Sequence, residues 1–280
     1  MSIELLFLGT GTSAGIPMIG CDCEVCRSDD PRDQRSRCSI LVRYPDAATD
    51  EDAAPPTRQL LIDTAPEIRL QAVHHRLDRL DGVLYTHAHA DHIFGIDDLR
   101  RFNAVMRAPL DIYAEPGVIQ TLQRMFPHIF ASHKNVNPSF VANLITRPIT
   151  VEQPLDLYGA TWTPLRLMHG RLPIVGYHID YHGRRVAYCT DVSTIPPETL
   201  PHVTDLDVLI LDALRYRHHP THLTVEQALD LINHLRPKQA YLTHIAHDIR
   251  HADLEDRLPD NVHLAYDNLH LTLTEPLASH

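Results

Sequence analysis

The feature that most constrains this chain is a run of metal-ligand side chains, His87, His89, Asp91 and His92, directly after the β-prone residues 82–86. In an extended backbone His87 and His89 point to the same side. A helix beginning near Asp91 would turn Asp91 and His92 toward a second position nearby. Four ligands are more than one tetrahedral ion with an open position accepts, so the pattern predicts half of a two-metal centre. The alternative, a solvated histidine-rich loop, is disfavoured because the run follows a strand and further ligands occur downstream.

Length and composition favour one domain. The 280 residues are 44% hydrophobic with no break in composition, which predicts a single domain over 1–280. The apolar start, residues 3–8, lacks a basic leader, and no later run reaches membrane-spanning length, so we expect a cytoplasmic protein without membrane association. A net charge of -11 disfavours binding to long nucleic acid and favours a small substrate.

Hydrophobic periodicity predicts strands and helices that alternate in two halves. The predicted strands are Ile3–Leu8, Ser39–Tyr44, Gln59–Asp63, Gly82–Thr86, Leu110–Ala114, Trp162–Met168, Ile174–Tyr181, Arg185–Cys189, Val208–Asp212 and Gln239–Thr243. The predicted helices are 96–106, 116–126 and one that starts at the capping box Thr224–Gln227 and runs to Leu235. Two such halves indicate an α/β four-layer sandwich. We also expect a mobile hairpin loop over 45–58 and a lid, containing Lys134, over 128–141.

A second cluster holds three cysteines, Cys21, Cys23 and Cys26, within one loop. In a reducing compartment this spacing predicts metal-binding thiolates rather than a disulfide framework. A structural Zn²⁺ needs a fourth ligand, for which His247 and Cys38 are the candidates. Three thiols without a metal are the alternative. The remaining cysteine, Cys189, reads as an inert buried thiol.

The histidine run resembles the H-x-H-x-D-H signature of the metallo-β-lactamase superfamily, and the resemblance extends over nearly the whole chain. It implies the αββα sandwich and further ligands at strand ends. His169 would be the third histidine of the first metal, Asp191 the bridging carboxylate and His244 the last ligand of the second metal. Asp63 would orient a ligating histidine through its second ring nitrogen. An ordinary strand-end cap is the alternative for Asp63.

The segment Gly9–Pro17, followed by the cysteines, resembles the PhnP-like branch of this superfamily, the phosphoribosyl cyclic phosphodiesterases. That resemblance implies two catalytic divalent metals (Mn²⁺ or Zn²⁺), one structural Zn²⁺ and a homodimer. A metal-bridging hydroxide would open small cyclic phosphodiesters such as phosphoribosyl 1,2-cyclic phosphate or 2',3'-cyclic nucleotides. His222 would protonate the leaving alkoxide, acting with Asp191 in catalysis. Arg171 is a candidate for binding a substrate phosphate, or is an ordinary surface arginine.

Three other functions remain open. A tRNA 3'-end nuclease of the same superfamily would need an RNA-gripping arm and a basic face, neither of which the sequence shows. A PqqB-like cofactor-biosynthesis or binding protein would share the glycine-rich start and the cysteines. A thioesterase or lactonase is the third. The complete set of ligands for two metals favours an enzyme.

Overall fold

The strands form two sheets. This computed structural model describes residues 2–46, 55–136 and 139–274, and within those ranges each sheet has seven strands. The first sheet consists of β1 (Ser2–Gly9), β2 (Ser39–Pro45), β3 (Thr57–Ile62), β4 (Gly82–Leu84), β5 (Leu110–Ala114), β6 (Leu144–Pro148) and β14 (His270–Thr274), in the order β14-β1-β2-β3-β4-β5-β6. The second consists of β7 (Leu155–Leu157), β8 (Ala160–His169), β9 (Leu172–Tyr181), β10 (Arg184–Cys189), β11 (Val208–Asp212), β12 (Gln239–Thr243) and β13 (Val262–Leu264), in the order β13 to β7.

Helices cover the outer faces of both sheets. They are α1 (Ile68–His74), α2 (Ala90–Ile93), α3 (Leu99–Met106), α4 (Pro116–Met125), α5 (Pro127–Phe130), α6 (Val225–Leu235) and α7 (His251–Glu255). In the part of the chain that the structure describes, no helix combines the length and the apolar character needed to cross a membrane.

Strand β1 shows how the layers are built. Ile3, Leu5 and Phe7 belong to the core between the sheets, which also contains side chains of β8, β9 and β10. The intervening Leu6 and Leu8 belong to a second core with α1, α3 and α4. A third core joins the other sheet to α6 and α7. Because successive strand residues point to opposite faces, one strand serves two cores. The predicted four-layer αββα sandwich is therefore confirmed.

The predicted elements differ from the structure mainly at their ends. The helix predicted from Ile96 begins at Leu99, because residues 94–98 form a 3₁₀ turn. The capping box at α6 is present: Thr224 Oγ1 accepts from Gln227 N at 3.2 Å, and Thr224 N donates to Gln227 Oε1 at 2.9 Å. These bonds satisfy amide groups at the start of the helix that have no partner within it.

The two segments predicted as a loop and a lid are partly outside the described residues. Strand β2 extends to Pro45 and β3 begins at Thr57, so the predicted loop is shorter at both ends, and its residues 47–54 are not described. The described part of 128–141 contains most of α5 and a 3₁₀ turn, Ser132–Lys134, while 137–138 are not described. Loop mobility and lid closure stay predictions.

The parallel strands bring polar residues to one edge. β3, β4 and β5 pair in parallel in the first sheet, and β10, β11 and β12 do so in the second. Asp63 follows β3, Asp191 follows β10, Asp212 ends β11 and His244 follows β12. α/β folds usually bind ligands at the carboxyl ends of their parallel strands, so we expect a binding or catalytic site at this edge.

Candidate metal centre

Three histidines form the first ligand cluster. After β4 the backbone stays extended and α2 begins at Ala90, as predicted. The ring of His87 lies 4.5 Å from that of His89, and the His169 ring lies 5.1 Å from His89. His169 Nδ1 donates to the carbonyl oxygen of Thr221 at 2.9 Å, which leaves its Nε2 free to bind a metal.

The second cluster contains Asp91, His92, Asp191 and His244, all buried, with one ligand atom of each within 4.8 Å of the others. His92 Nε2 lies 3.3 Å from Asp91 Oδ2 and 3.3 Å from Asp191 Oδ2. The other oxygen, Asp191 Oδ1, lies 3.2 Å from His244 Nε2. Asp191 also lies within the same limit of a ring nitrogen of His169. It therefore borders both clusters, the place expected of a bridging carboxylate.

The donor atoms fit a pair of cations. The Nε2 atoms of His87, His92 and His244 are buried and have no hydrogen-bond partner among the described residues. Burial lowers the pKa of His87 well below its ordinary value, which keeps its imidazole neutral, as a metal ligand must be. Burial would raise the pKa of Asp191, but the facing His244 and His92 outweigh it and hold that pKa well below its usual range. Bound divalent metals would give these nitrogens their missing partners.

Asp63 accepts hydrogen bonds that orient a residue of the second cluster. Its Oδ2 accepts from His92 Nδ1 at 2.7 Å, and its carboxylate also accepts from Thr86 N and Thr86 Oγ1, both at 2.8 Å. A hydrogen on His92 Nδ1 directs Nε2 toward Asp91 and Asp191. Asp63 thus combines the two roles weighed from sequence, since it caps the chain after β4 and also orients a candidate ligand.

His222 lies over both clusters. Its ring centroid is 4.6 Å from that of His169 and 4.6 Å from that of His244. The place of His222 in the sequence, just before the helix-capping Thr224, predicts an accessible loop residue. His222 is on a loop, but only 8% of it is exposed, because Leu223 N bonds back to Val192 O and draws the loop onto the sheet. The prediction of accessibility was wrong.

Asp212, which was not predicted from the sequence, is the partner of His222. Asp212 Oδ2 lies 2.6 Å from His222 Nδ1, and Asp212 is fully buried. Burial, together with the neighbouring His244, lowers the pKa of His222 to about 3, and burial raises the pKa of Asp212 well above its ordinary value. The available signal was position: Asp212 ends a buried strand at the edge where Asp63 and Asp191 also lie.

An open cavity of about 480 Å³ adjoins His222. Arg171, His218 and His219 are among its lining residues, and Arg171 is exposed. His219 Nδ1 contacts Thr221 Oγ1 at 3.1 Å. The structure therefore places Arg171 and His222 along the same cavity, which is large enough for a small substrate.

The cysteine loop and His247 meet in a third cluster. The Sγ atoms of Cys21, Cys23 and Cys26 lie 3.2, 3.4 and 3.8 Å from His247 Nδ1. Tetrahedral zinc with ordinary bond lengths puts sulfur and nitrogen ligands about 3.5 Å apart. A hydrogen bond from the Cys26 amide lowers the pKa of Cys23 to about 6, which favours its thiolate. These four residues fit a structural Zn²⁺.

The other two cysteines lie elsewhere. Cys38 is fully buried with its Sγ 3.5 Å from Thr243 Oγ1, so the alternative in which it supplies the fourth zinc ligand is wrong. Cys38 directly precedes β2, whereas Cys21, Cys23 and Cys26 lie farther back in the segment between β1 and β2. Burial raises the pKa of Cys189 to about 12, as suits an unreactive thiol.

Comparisons with known proteins place this fold in a family. The model of the Beta-lactamase superfamily domain matches residues 58–245, which include all seven predicted ligands of the two catalytic metals. The chain belongs to the beta-lactamase superfamily. The resemblance inferred from the histidine run is thereby confirmed.

Two solved structures resemble this superfamily member over nearly its whole length. A diphosphatase from the PhnP family is 36% identical, with a TM-score of 0.85 and 98% of each chain covered. Zn²⁺-bound PqqB from Methylobacterium extorquens is 20% identical, with a TM-score of 0.74 and 96% of this chain and 99% of that chain covered, a likeness that shows the fold alone.

A curated relative is longer. The octanoyltransferase of Porphyromonas gingivalis is 36% identical over 278 residues, which are 98% of this chain but 52% of that protein. This beta-lactamase superfamily member thus spans about half the length of that relative. The family and the PhnP-family diphosphatase support a metal-dependent hydrolase with divalent metals, the class of enzyme that the sequence predicted.

Proposed function

We propose that this chain is a dinuclear metal-dependent phosphodiesterase that hydrolyses small cyclic phosphodiesters, either phosphoribosyl 1,2-cyclic phosphate or 2',3'-cyclic nucleotides. The observation that carries the proposal is the place of His222, 4.6 Å from a candidate ligand of each metal and 2.6 Å from Asp212. A proton donor over two metals is what cleavage of an alkoxide ester needs.

Two metals would be held by seven side chains. His87, His89 and His169 would bind one metal, and Asp91, His92 and His244 the other, with Asp191 between them. When bound, such a pair supplies Lewis acidity for a phosphoryl oxygen and lowers the pKa of bound water to near neutrality. Mn²⁺ and Zn²⁺ both suit the nitrogen and carboxylate donors. We also propose a structural Zn²⁺ on the cysteine loop and His247.

The His222–Asp212 pair would deliver the proton. With Asp212 protonated, its hydroxyl donates to His222 Nδ1 and the ring carries its hydrogen on Nε2. Transfer of the Asp212 hydroxyl proton to His222 Nδ1 across the 2.6 Å contact gives a carboxylate and an imidazolium, and the pair keeps the same number of protons. As Nε2 releases its hydrogen to the leaving oxygen, Asp212 can supply a proton to Nδ1. The pair therefore remains a competent acid although burial lowers the pKa of His222 by itself.

The surroundings favour a small substrate. The cavity beside His222 is about 480 Å³, which suits a phosphorylated sugar or a nucleotide. Arg171 at its rim would contact a substrate phosphate. The net charge of -11 disfavours the tRNA-nuclease alternative, because RNA affinity depends on clustered cations. Absence of membrane association and a homodimer stay predictions.

A second candidate reaction is hydrolysis of a diphosphate linkage. It is favoured by the 36% identity to the PhnP-family diphosphatase over nearly the whole of both chains. The same metal centre would act on it, but the departing group would be a phosphate, which needs less help from His222 than an alkoxide does. A PqqB-like binding role would not require a complete ligand set together with a buried proton donor.

One assay separates these functions. Protein loaded with Mn²⁺ or Zn²⁺ is offered 2',3'-cyclic AMP, phosphoribosyl 1,2-cyclic phosphate and diadenosine diphosphate, with Asp191→Ala as the control for contaminating enzymes. We expect turnover of a cyclic diester by the native protein alone. Turnover of the diphosphate alone would favour the second candidate. Activity on none of the three would leave the binding role.

A further inference from the structure

A half-exposed phenylalanine lies two residues beyond a candidate metal ligand. Half of Phe94 is accessible to solvent (50%), whereas its neighbours Ile93 and Ile96 are fully buried. Contact with a ligand would remove the apolar surface of this ring from water, which is favourable. Phe94 is therefore a candidate contact for a ligand.

The backbone gives this ring no freedom to retreat. Thr64 N donates to His92 O at 2.8 Å, and Gly95 N donates to Thr64 O at 2.9 Å, so Phe94 is held from both sides. At Gly95 a Cβ atom would meet Ala65 O at 2.3 Å, which shows how closely the chain packs there. The exposure of Phe94 results from a fixed backbone and not from a loose loop.

Phe94 follows the last turn of α2, where its amide donates to the carbonyl oxygen of Ala90. Ala90 lies four residues earlier, on the same face of the helical turn, and it too is exposed. His89, a candidate ligand of the first metal, directly precedes Ala90 and is exposed as well. His89, Ala90 and Phe94 are therefore three exposed residues of one short helical segment that begins at a candidate metal ligand.

A second ring extends this surface. Phe126, at the end of α4, meets Phe94 edge to face, with centroids 6.2 Å apart and planes at 87°. His128 continues the row, 6.3 Å from Phe126, and its Nε2 is fixed to Asp97 at 3.2 Å. Because the two phenyl planes are nearly perpendicular, a flat ligand can stack on only one of these rings, and the half-exposed Phe94 is the more accessible of the two.

We propose that Phe94, packed edge to face against Phe126, is an aromatic platform that binds the base of a nucleotide substrate while its cyclic phosphate lies at the candidate metal ligands. The inference rests on the proposed phosphodiesterase function and narrows its substrate class to 2',3'-cyclic nucleotides over sugars without a base. Stacking of a base on aromatic side chains is tolerant of base identity, so purines and pyrimidines are both accepted. Phe94 lies two residues beyond His92 and one helical turn from Ala90, which follows His89, and this nearness to candidate metal ligands favours a substrate over a second protein as the occupant.

The test compares two substrates that differ only in the base. They are 2',3'-cyclic AMP and the base-free 1,4-anhydroribitol 2,3-cyclic phosphate. We expect the native enzyme to prefer cyclic AMP in kcat/KM by about tenfold or more, given the usual strength of stacking on an aromatic ring. Phe94→Leu should remove most of that preference, mainly through KM, and leave the base-free rate within about twofold. Phe94→Tyr should retain the preference.

The matched control is Phe140→Leu, because Phe140 is also exposed (57%) but has no ring contact with Phe94 or Phe126. It should behave as the native enzyme. An equal preference in the native enzyme and in Phe94→Leu, or the same loss in Phe140→Leu, would overturn the platform. A change in oligomeric state by sedimentation, without loss of base preference, would instead assign the rings to contact between copies and overturn it too.

A binding measurement separates the proposed aromatic platform from the proposed phosphodiesterase activity. Calorimetric titration of the metal-loaded protein with adenosine 3'-monophosphate and with the base-free phosphate needs no turnover. Tighter binding of the nucleotide, lost in Phe94→Leu, would support the platform even if no cyclic diester were hydrolysed. Equal affinities would contradict the platform even if hydrolysis were observed.

Discussion

Asp212 Oδ2 lies 2.6 Å from His222 Nδ1, beneath a ring that is 4.6 Å from His169 and from His244. Asp212 ends β11, and His222 lies in the loop that leads to α6, so the contact joins a strand to the residue over the candidate metal ligands. In the proposed function, this arrangement makes a histidine with a low pKa one half of a proton-donating pair.

The pair predicts a loss that depends on the leaving group. Asp212→Asn cannot return a proton to His222, so kcat on 2',3'-cyclic nucleotides should fall by about 100-fold, as for the loss of a general acid. Hydrolysis of bis(p-nitrophenyl) phosphate should change little, because p-nitrophenolate leaves without a proton. His222→Ala should show the same pattern. Equal losses on both substrates would remove the acid role and leave only a structural one.

Arg171 predicts a contribution to substrate binding. Its guanidinium lines the cavity beside His222, and a charged hydrogen bond to phosphate is worth about 1.5–3 kcal/mol. Arg171→Met should therefore raise KM for phosphoribosyl 1,2-cyclic phosphate by about tenfold or more. Arg217→Met is the matched control, because Arg217 is exposed and pairs with Asp248 at 3.0 Å. A similar rise in KM in both variants would show that the effect comes from the loss of one positive charge and not from a contact of Arg171 with the substrate.

Asp267 predicts a pH-dependent stability. Its carboxylate accepts from Thr10 N, Thr10 Oγ1 and Ser36 N at 2.7–2.9 Å, yet burial outweighs these bonds and raises its pKa to about 6. Folding therefore favours the protonated form. Its contribution to the free energy of unfolding is complete below its unfolded pKa of 3.8 and is lost as pH rises to about 6.

Asp267→Asn stays uncharged and should lack this dependence. Between pH 4 and pH 7 the variant should gain stability relative to the native chain, by at most about 3 kcal/mol for a shift of this size. Urea unfolding of both proteins at equal metal loading measures the difference. A constant difference across this range would show that Asp267 titrates normally.

The candidate ligands could be predicted from the sequence because they lie at or after the ends of strands. Asp191 and His244 come directly after apolar runs, and parallel strands bring such ends together. Local pattern also sufficed for α6, where Thr224 and Gln227 cap the helix. These signals are contained in a few neighbouring residues.

The missed features depend on contacts between distant residues. The pairing of Asp212 with His222 depends on how the loop after β11 folds back onto the sheet, and burial of His222 follows from the same packing. Strand β14 pairs with β1 across nearly the whole chain, Ser2 opposite Thr274, although its alternation of polar and apolar residues was a usable signal. Exposure of Phe94 likewise follows from hydrogen bonds to Thr64.

The metal content of Asp191→Ala tests the central claim most directly. Asp191 borders both catalytic clusters, whereas the cysteine loop and His247 form a separate cluster. Elemental analysis should find about three metal ions per native chain, following the ligand sets of two catalytic sites and one structural zinc. The variant should lose the catalytic pair and keep the zinc. Retention of all three ions, or loss of all three together, would contradict a two-metal centre held by Asp191.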